Sequence, residues 1–293
     1  MTFLERLEQE RAEIDAALEY WLPSEATPPV SVHRAMRYSV FAGGKRIRPI
    51  LCLRAGRLFG AEDAAVLPVA CALELIHTYS LIHDDLPALD NDSLRRGKPT
   101  CHVQFGEALA ILAGDGLLTL AFHVLARAPV EAERRVRIIE EISAAAGTVN
   151  GMVGGQVADL EAGGQVVTAG QLEYIHRSKT AALIRAAAVA GGLAGQATAE
   201  DLERLRQFGE KIGWAFQVVD DILDVEESSV QLGKTAGKDE QQKKATYPAL
   251  FGLEPSRQFA QALCQQAVAE LDVYGERADS LRELAHFLVR RRM

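Results

Sequence analysis

The chain has 293 residues, enough for one large domain or two ordinary ones, and its 48% hydrophobic content suits a substantial buried core. Thirty-two Lys and Arg against 40 Asp and Glu give a net charge of −8, the wrong sign for a general nucleic-acid binder, so any bound anion needs a local cationic device. Four cysteines, Cys52, Cys71, Cys101 and Cys264, lack CxxC spacing and read as reduced thiols, with no function assigned. From the amino end, Phe3, Leu4, Leu7, Ile14, Ala17 and Leu18 recur at helical spacing until Pro23 and Pro28-Pro29 break the pattern. Further helices are predicted at 31–41, 48–59, 64–85, 105–127, 131–147, 149–162, 169–190, 199–226, 244–252, 256–274 and 278–290. Alternation of the strand kind is weak, and no short repeat or flexible linker interrupts the chain, so an all-α, single-domain bundle over residues 1–293 is predicted. The start has neither a long apolar core nor an Arg-rich transit pattern, which predicts a cytoplasmic protein. The apolar run Ala108–Ala126 carries Asp115, Gly114 and Gly116, costly in a bilayer, and reads as a buried core helix with no integral membrane segment.

Two polar, Gly-bearing stretches, Leu86 to Cys101 and Glu226 to Gln242, each follow an acidic cluster. The first cluster is Asp84, Asp85 and Asp90, then Asp92 and the pair Arg95-Arg96; Pro87 is predicted to end its helix. The second is Gln217, Asp220, Asp221 and Asp224, whose spacing puts four oxygen-bearing side chains on one helix face. Ile222, Leu223 and Val225 predict that this helix is largely buried. Like charges about 4 Å apart repel by roughly 4 kcal/mol at the effective dielectric of a protein surface, so something must offset them. Either pair alone reads as a helix cap or a solvated face. Two together point to a hard divalent cation, and carboxylates without Cys or His partners select Mg²⁺ over Zn²⁺. Mg²⁺ shares its carboxylates with substrate phosphates, which implies a phosphorylated ligand. A bundle could face both clusters across one cavity.

Phosphate holders are available. Gly43-Gly44-Lys45-Arg46-Ile47-Arg48-Pro49 reads as a glycine turn entering a helix with basic side chains at its positive end. Lys179, the Lys234 to Asp239 loop, Arg95 and Arg96 add cations, though each alone also reads as a solvated charge. His77 lies seven residues before Asp84, about 10 Å along nearly the same stripe, as a ligand contact or a structural hydrogen-bonder.

The run Ser80-Leu-Ile-His-Asp84-Asp85-Leu-Pro-Ala-Leu-Asp90-Asn-Asp-Ser-Leu-Arg95-Arg96-Gly-Lys-Pro-Thr resembles the first aspartate-rich motif of short-chain polyprenyl diphosphate synthases, and Phe216-Gln217-Val-Val-Asp220-Asp221-Ile-Leu-Asp224 resembles the second. Gly43 to Pro49, Lys179-Thr180, Lys234 to Asp239 and Thr246-Tyr247-Pro248 match in order, and the likeness is nearest to the bacterial farnesyl diphosphate synthase group. Asn91 and Ser93 stand where acids are also common. The resemblance implies an isoprenoid synthase bundle around a deep central cavity, commonly a homodimer. It implies that Asp84, Asp85 and Asp90 coordinate two Mg²⁺ and Asp220 a third, with Asp221 and Asp224 supporting that side, and Mn²⁺ as an alternative metal. Arg95, Lys179 and Lys238 would hold the allylic diphosphate; Lys45, Arg48, His77 and Arg96 would hold isopentenyl diphosphate, with Arg290-Arg291-Arg292 closing over it or forming a solvated tail. The Lys179 carbonyl, Thr180 and Gln217 would face an allylic cation formed by loss of diphosphate, which the second substrate attacks head to tail. Tyr79, with Ser80, would set product length, and the four-residue spacer between Asp85 and Asp90 favours fifteen carbons; Tyr79 also reads as a plain core aromatic. A geranylgeranyl diphosphate synthase, a non-catalytic regulatory subunit and a terpene cyclase are the alternatives.

Overall fold

In a computed structural model that describes residues 2–232 and 246–290, 77% of the chain is helical and strand is almost absent. The helices are α1 (Phe3–Trp21), α2 (Val30–Val40), α3 (Ile47–Leu58), α4 (Asp63–Asp84), α5 (Cys101–Phe105), α6 (Glu107–Ala126), α7 (Ala132–Ala146) and α8 (Met152–Ala162). They continue with α9 (Ala169–Ile175), a π-helical segment His176–Ala181, α10 (Ala182–Ala194), α11 (Ala199–Leu232), α12 (Tyr247–Phe251), α13 (Leu253–Ala269), a 3-10 segment Asp272–Ala278 and α14 (Asp279–Val289). The chain forms two compact units, residues 1–139 with 193–195, and 140–192 with 196–293.

In the first unit α4 is the central element, packed by α1, α2, α3 and α6. Its apolar length from Val66 to Ile82 is almost wholly buried, and it carries one buried acid, Glu74. That acid is matched: Arg46 donates to Glu74 at 2.6 Å and to Asp15 at 2.8 Å, so a charge in the core is both paired and hydrogen-bonded. α1 starts at a capping box, in which Thr2 and Glu5 satisfy each other's backbone N–H groups. α6 is not the buried core helix its apolar run predicted. It buries Ala110, Ala113, Leu117, Ala121, Val124 and Leu125 while Ile111 and Leu112 are about half exposed, at 45% and 55%.

The predicted helix 105–127 is two helices, because Gly106 adopts φ 86°, ψ 156° and ends one ladder before the next begins. The stretch Leu86 to Cys101 also contains a hairpin, β1 (Leu94–Arg95) paired antiparallel with β2 (Lys98–Pro99), with Arg96 and Gly97 both at positive φ in its two-residue turn.

The second unit is organised by α11, which packs on α12, α13, α14 and the π-helical segment, while α8 packs on that segment and on α9. The predicted helix 169–190 divides at the π-helical segment, and α13 begins two residues before Pro255, a place where a missing N–H costs nothing. Along α11, Ile222 is buried as expected but Val225 is 37% exposed. At Val225 the helix is therefore less enclosed than its apolar residues suggested.

Candidate active site

In the first unit, the C-terminal end of α4 presents the first acidic set. After Asp85 the chain turns back, and the Asp90 N–H donates to the Asp84 carbonyl at 2.9 Å, which returns the third acid to the first. Asp84 and Asp90 are half-buried, whereas Asp85 is buried. The hairpin folds Arg95 onto Asp85: Nε donates to both carboxylate oxygens at 2.8 and 2.9 Å, and Nη2 to Oδ1 at 2.5 Å. Burial pushes the Asp85 carboxyl up, and the Arg95 bond opposes that push. A predicted metal ligand and a predicted phosphate holder are thus partners of one another.

The basic turn before α3 sorts its side chains. Arg46, in a left-handed conformation and 3% exposed, points inward to Glu74, Asp15 and the Val40 carbonyl; Lys45 is exposed and Arg48 half-buried. Gly44 is favoured there by its φ of 130°, which side chains rarely adopt, and Arg96, whose Nη1 donates to the Gly43 carbonyl, lies against it. His77 sits among these cations. Burial, and then the charges of Arg48, Arg96, Arg95 and Arg46, hold its imidazole well below the ordinary value. Two of these guanidiniums are already paired, Arg46 with Glu74 and Asp15 and Arg95 with Asp85, while Lys45, Arg48 and Arg96 bring further positive charge to the same turn and hairpin.

One turn above Asp84, Tyr79 is 7% exposed and meets the His83 ring edge-on, with centroids 5.8 Å apart. Burial, then the Asp84 charge, pushes its phenol up to about 12. His83 is seated in a notch at Gly114, where a Cβ would lie 2.2 Å from its Nε2, and that nitrogen is 3.1 Å from the Ile111 carbonyl. Ser80 turns its hydroxyl to the His77 carbonyl at 2.9 Å.

The second unit gathers the remaining predicted residues except Lys238, which lies outside the described residues, as do Arg291 and Arg292. Lys179 pairs with Asp159 of α8 at 2.6 Å. α8 comes this close because Gly155 has no side chain: a Cβ would stand 2.2 Å from the Lys179 nitrogen. The Thr180 hydroxyl donates to Gln217 Oε1 at 2.7 Å, and Gln217 Nε2 donates to Asp221 at 3.1 Å. Asp221, 6% exposed, also accepts the Tyr247 N–H at 2.8 Å and has His176 Nε2 at 3.2 Å. Asp220 is half-buried and Asp224 exposed on the same helix. Asp159 and His176 escaped the sequence reading. The available signals were the three-residue spacings Gln156 to Asp159 and His176 to Lys179, each on one helical face.

Both acidic sets offer only oxygen, which fits a hard cation. Among the described residues no three His, Cys, Asp or Glu side chains gather at one point. Mg²⁺ takes one or two carboxylates and completes its shell with water and phosphate oxygens.

Residues 29–278 match the family model described as polyprenyl synthetase. The chain is 53% identical over 250 residues to the heterodimeric geranylgeranyl pyrophosphate synthase large subunit 1, chloroplastic, of Arabidopsis thaliana, covering 83% of this chain and 67% of that one. It is 48% identical over 288 residues to a dimethylallyltranstransferase of Fischerella ambigua, covering 97% and 82%. Among solved structures, an FPP/GFPP synthase from Zymomonas mobilis superposes with TM-score 0.88 at 38% identity over 98% of both chains. A geranyltransferase from Legionella pneumophila gives TM-score 0.87 at 37% identity over 99% of this chain and 96% of that one. With a family match through most of its length and an isoprenoid synthase fold, this chain belongs to the polyprenyl synthetase family, as a short-chain prenyltransferase.

Proposed function

We propose that the chain is a farnesyl diphosphate synthase, adding isopentenyl diphosphate to dimethylallyl and then geranyl diphosphate, with its two compact units serving one catalytic domain. The observation that carries the reading is the hairpin that folds Arg95 onto Asp85 at the acidic end of α4, which sets a cation able to meet a diphosphate beside oxygen ligands able to hold a metal.

Asp84 and Asp90 would hold Mg²⁺ on the allylic diphosphate and Asp220 a further ion. Asp85 and Asp221, both already engaged by neighbours, fix Arg95 and Gln217 in place. When bound, Mg²⁺ supplies positive charge that stabilises the departing diphosphate. Arg95 would meet that diphosphate through Nη1, since Asp85 takes Nε and Nη2, and Lys179 would meet it through Nζ. Lys45, Arg48, His77 and Arg96 hold the second diphosphate. The allylic C–O bond breaks with its electron pair leaving on diphosphate. The Lys179 carbonyl, Thr180 and Gln217 present dipoles to the resulting cation, and the alkene of isopentenyl diphosphate closes the new C–C bond. The released diphosphate then takes the proton. Tyr79, buried five residues before Asp84 on α4, would stop the growing chain.

A twenty-carbon product is the second reading, favoured by relatives at 46–53% identity that are named geranylgeranyl pyrophosphate synthases. The deciding experiment incubates the purified chain with Mg²⁺, dimethylallyl diphosphate and isopentenyl diphosphate, then identifies products by mass. Fifteen carbons are expected, and longer chains from Tyr79→Ala. No Mg²⁺-dependent turnover would overturn the prenyl-transfer mechanism; a twenty-carbon product from the wild type would overturn the assigned length. The exposed apolar residues on α6 further support a homodimer, the occupant being a second copy of this chain.

A further inference from the structure

The second unit contains a line of hydrogen bonds whose direction is set by a carboxylate that can only accept. Asp221 receives the Tyr247 N–H on Oδ2 and the Gln217 amide nitrogen on Oδ1, with His176 Nε2 3.2 Å from Oδ2. Because Gln217 must turn its NH₂ group toward Asp221, its oxygen faces the other way, where it accepts the Thr180 hydroxyl at 2.7 Å. The Thr180 hydrogen is thereby used, and lone pairs are what its oxygen has left to offer.

His176 is 4% exposed, and its Nδ1 is buried with no hydrogen-bond partner among the described residues. A proton on that nitrogen would be a buried donor with nothing to meet, so the ring proton belongs on Nε2, facing Asp221. The ring also stacks on Tyr247, with centroids 6.2 Å apart, and Tyr247 stacks on Phe259 at 5.0 Å. His176 and Thr180 both lie on the π-helical segment, an irregularity often found where a helix serves a site.

We propose that His176 is a positioning residue for prenyl transfer: by fixing Asp221 it holds Gln217 in one amide orientation, and so turns the Thr180 oxygen lone pairs toward the developing allylic cation. This rests on the prenyltransferase reading above. Were Gln217 to flip, Thr180 would face an amide donor and turn its own hydrogen outward, presenting the wrong end of a dipole to a positive charge.

The test compares His176→Phe, which keeps an aromatic ring without a donor, with His176→Gln, which restores an N–H near the position of Nε2. His176→Phe is expected to lower kcat by about tenfold or more with KM for isopentenyl diphosphate unchanged, and His176→Gln to recover to within about threefold of wild type. In parallel, ¹⁵N spectra should show the Gln217 side-chain amide protected from exchange in the wild type and in His176→Gln, with protection lost in His176→Phe. Equal kcat in all three proteins, equal impairment of both variants, or a freely exchanging Gln217 amide in the wild type overturns the proposal, the last even if His176→Phe does not fold. A wild type with a protected amide and no turnover faults the prenyl-transfer reading; one with turnover and an unprotected amide faults the role of His176.

Discussion

Lys45 and Arg46 stand side by side in a basic run, yet one is exposed and the other is 3% exposed between Glu74 and Asp15. Replacing Arg46 by Ala strands the Glu74 carboxylate in the core, and breaking a buried pair in this way costs about 3–5 kcal/mol. A urea midpoint close to wild type for Arg46→Ala would show that the pair does not support the turn. Lys45→Ala should leave the midpoint nearly unchanged and raise KM for isopentenyl diphosphate by about tenfold, the loss of one charge-assisted contact. His77 yields a pH signature of defined sign. Its folded-state pKa is depressed, so below the ordinary His value of about 6.5 the unfolded chain binds a proton that the folded chain refuses. Its contribution to stability is therefore complete above that pH and lost as pH falls toward the folded value. Denaturation between pH 7 and 5 should show a shallower decline for His77→Gln than for wild type, and parallel curves would mean that His77 is not held neutral.

Helices were legible wherever apolar spacing ran unbroken, as in α1, α4 and α11, because a periodic face needs only local sequence to be recognised. What escaped was set by residues distant in the chain. Gly106 sits in an apolar run whose period continues past it, so only its backbone angles reveal the break between α5 and α6. Arg46 meets Glu74 across 28 residues and Thr180 meets Gln217 across 37, pairings that no spacing rule encodes. The acidic motifs were legible as clusters of carboxylates, but not that Asp85 and Asp221 would be taken up by Arg95 and by the Gln217, Tyr247 and His176 set. The packing of α8 against the π-helical segment follows the same logic. Gly155→Ala would drive a methyl group into the Lys179 backbone, which cannot swing aside as a side chain would. Overpacking of this kind costs about 1–3 kcal/mol, and the shift should also move the Lys179 ammonium from Asp159. The expected result is a lower melting temperature together with a raised KM for the allylic substrate. A lower melting temperature with unchanged kinetics would separate the packing of α8 from the placing of Lys179.

At the level of the whole molecule, a chain of net charge −8 gathers cations at the turn before α3, Lys45, Arg46 and Arg48, and at the hairpin, Arg95, Arg96 and Lys98, the kind of local device a polyanionic substrate needs. Exposed apolar side chains are spread over many elements, and two groups of them sit together on single helices. Ile111 and Leu112 lie on the outer side of α6 in the first unit, and Val153, Val157 and Leu160 form an exposed stripe along α8 in the second. Asp115, exposed on α6, makes a lipid environment costly for its outer side, whereas a protein surface can meet a carboxylate with a hydrogen bond. A second copy of the chain fits that chemistry. Leu112→Asp is therefore expected to shift sedimentation from dimer to monomer at micromolar concentration, with the helical circular dichroism retained because the substituted side chain already faces solvent in the single chain. Because apolar burial contributes about 25 cal/mol per Å², losing the contact should also lower the melting temperature in a concentration-dependent way. A wild type that sediments as a monomer at all concentrations, or a Leu112→Asp variant that remains dimeric, would remove α6 as the interface and leave its exposed leucine and isoleucine for a different protein partner to cover.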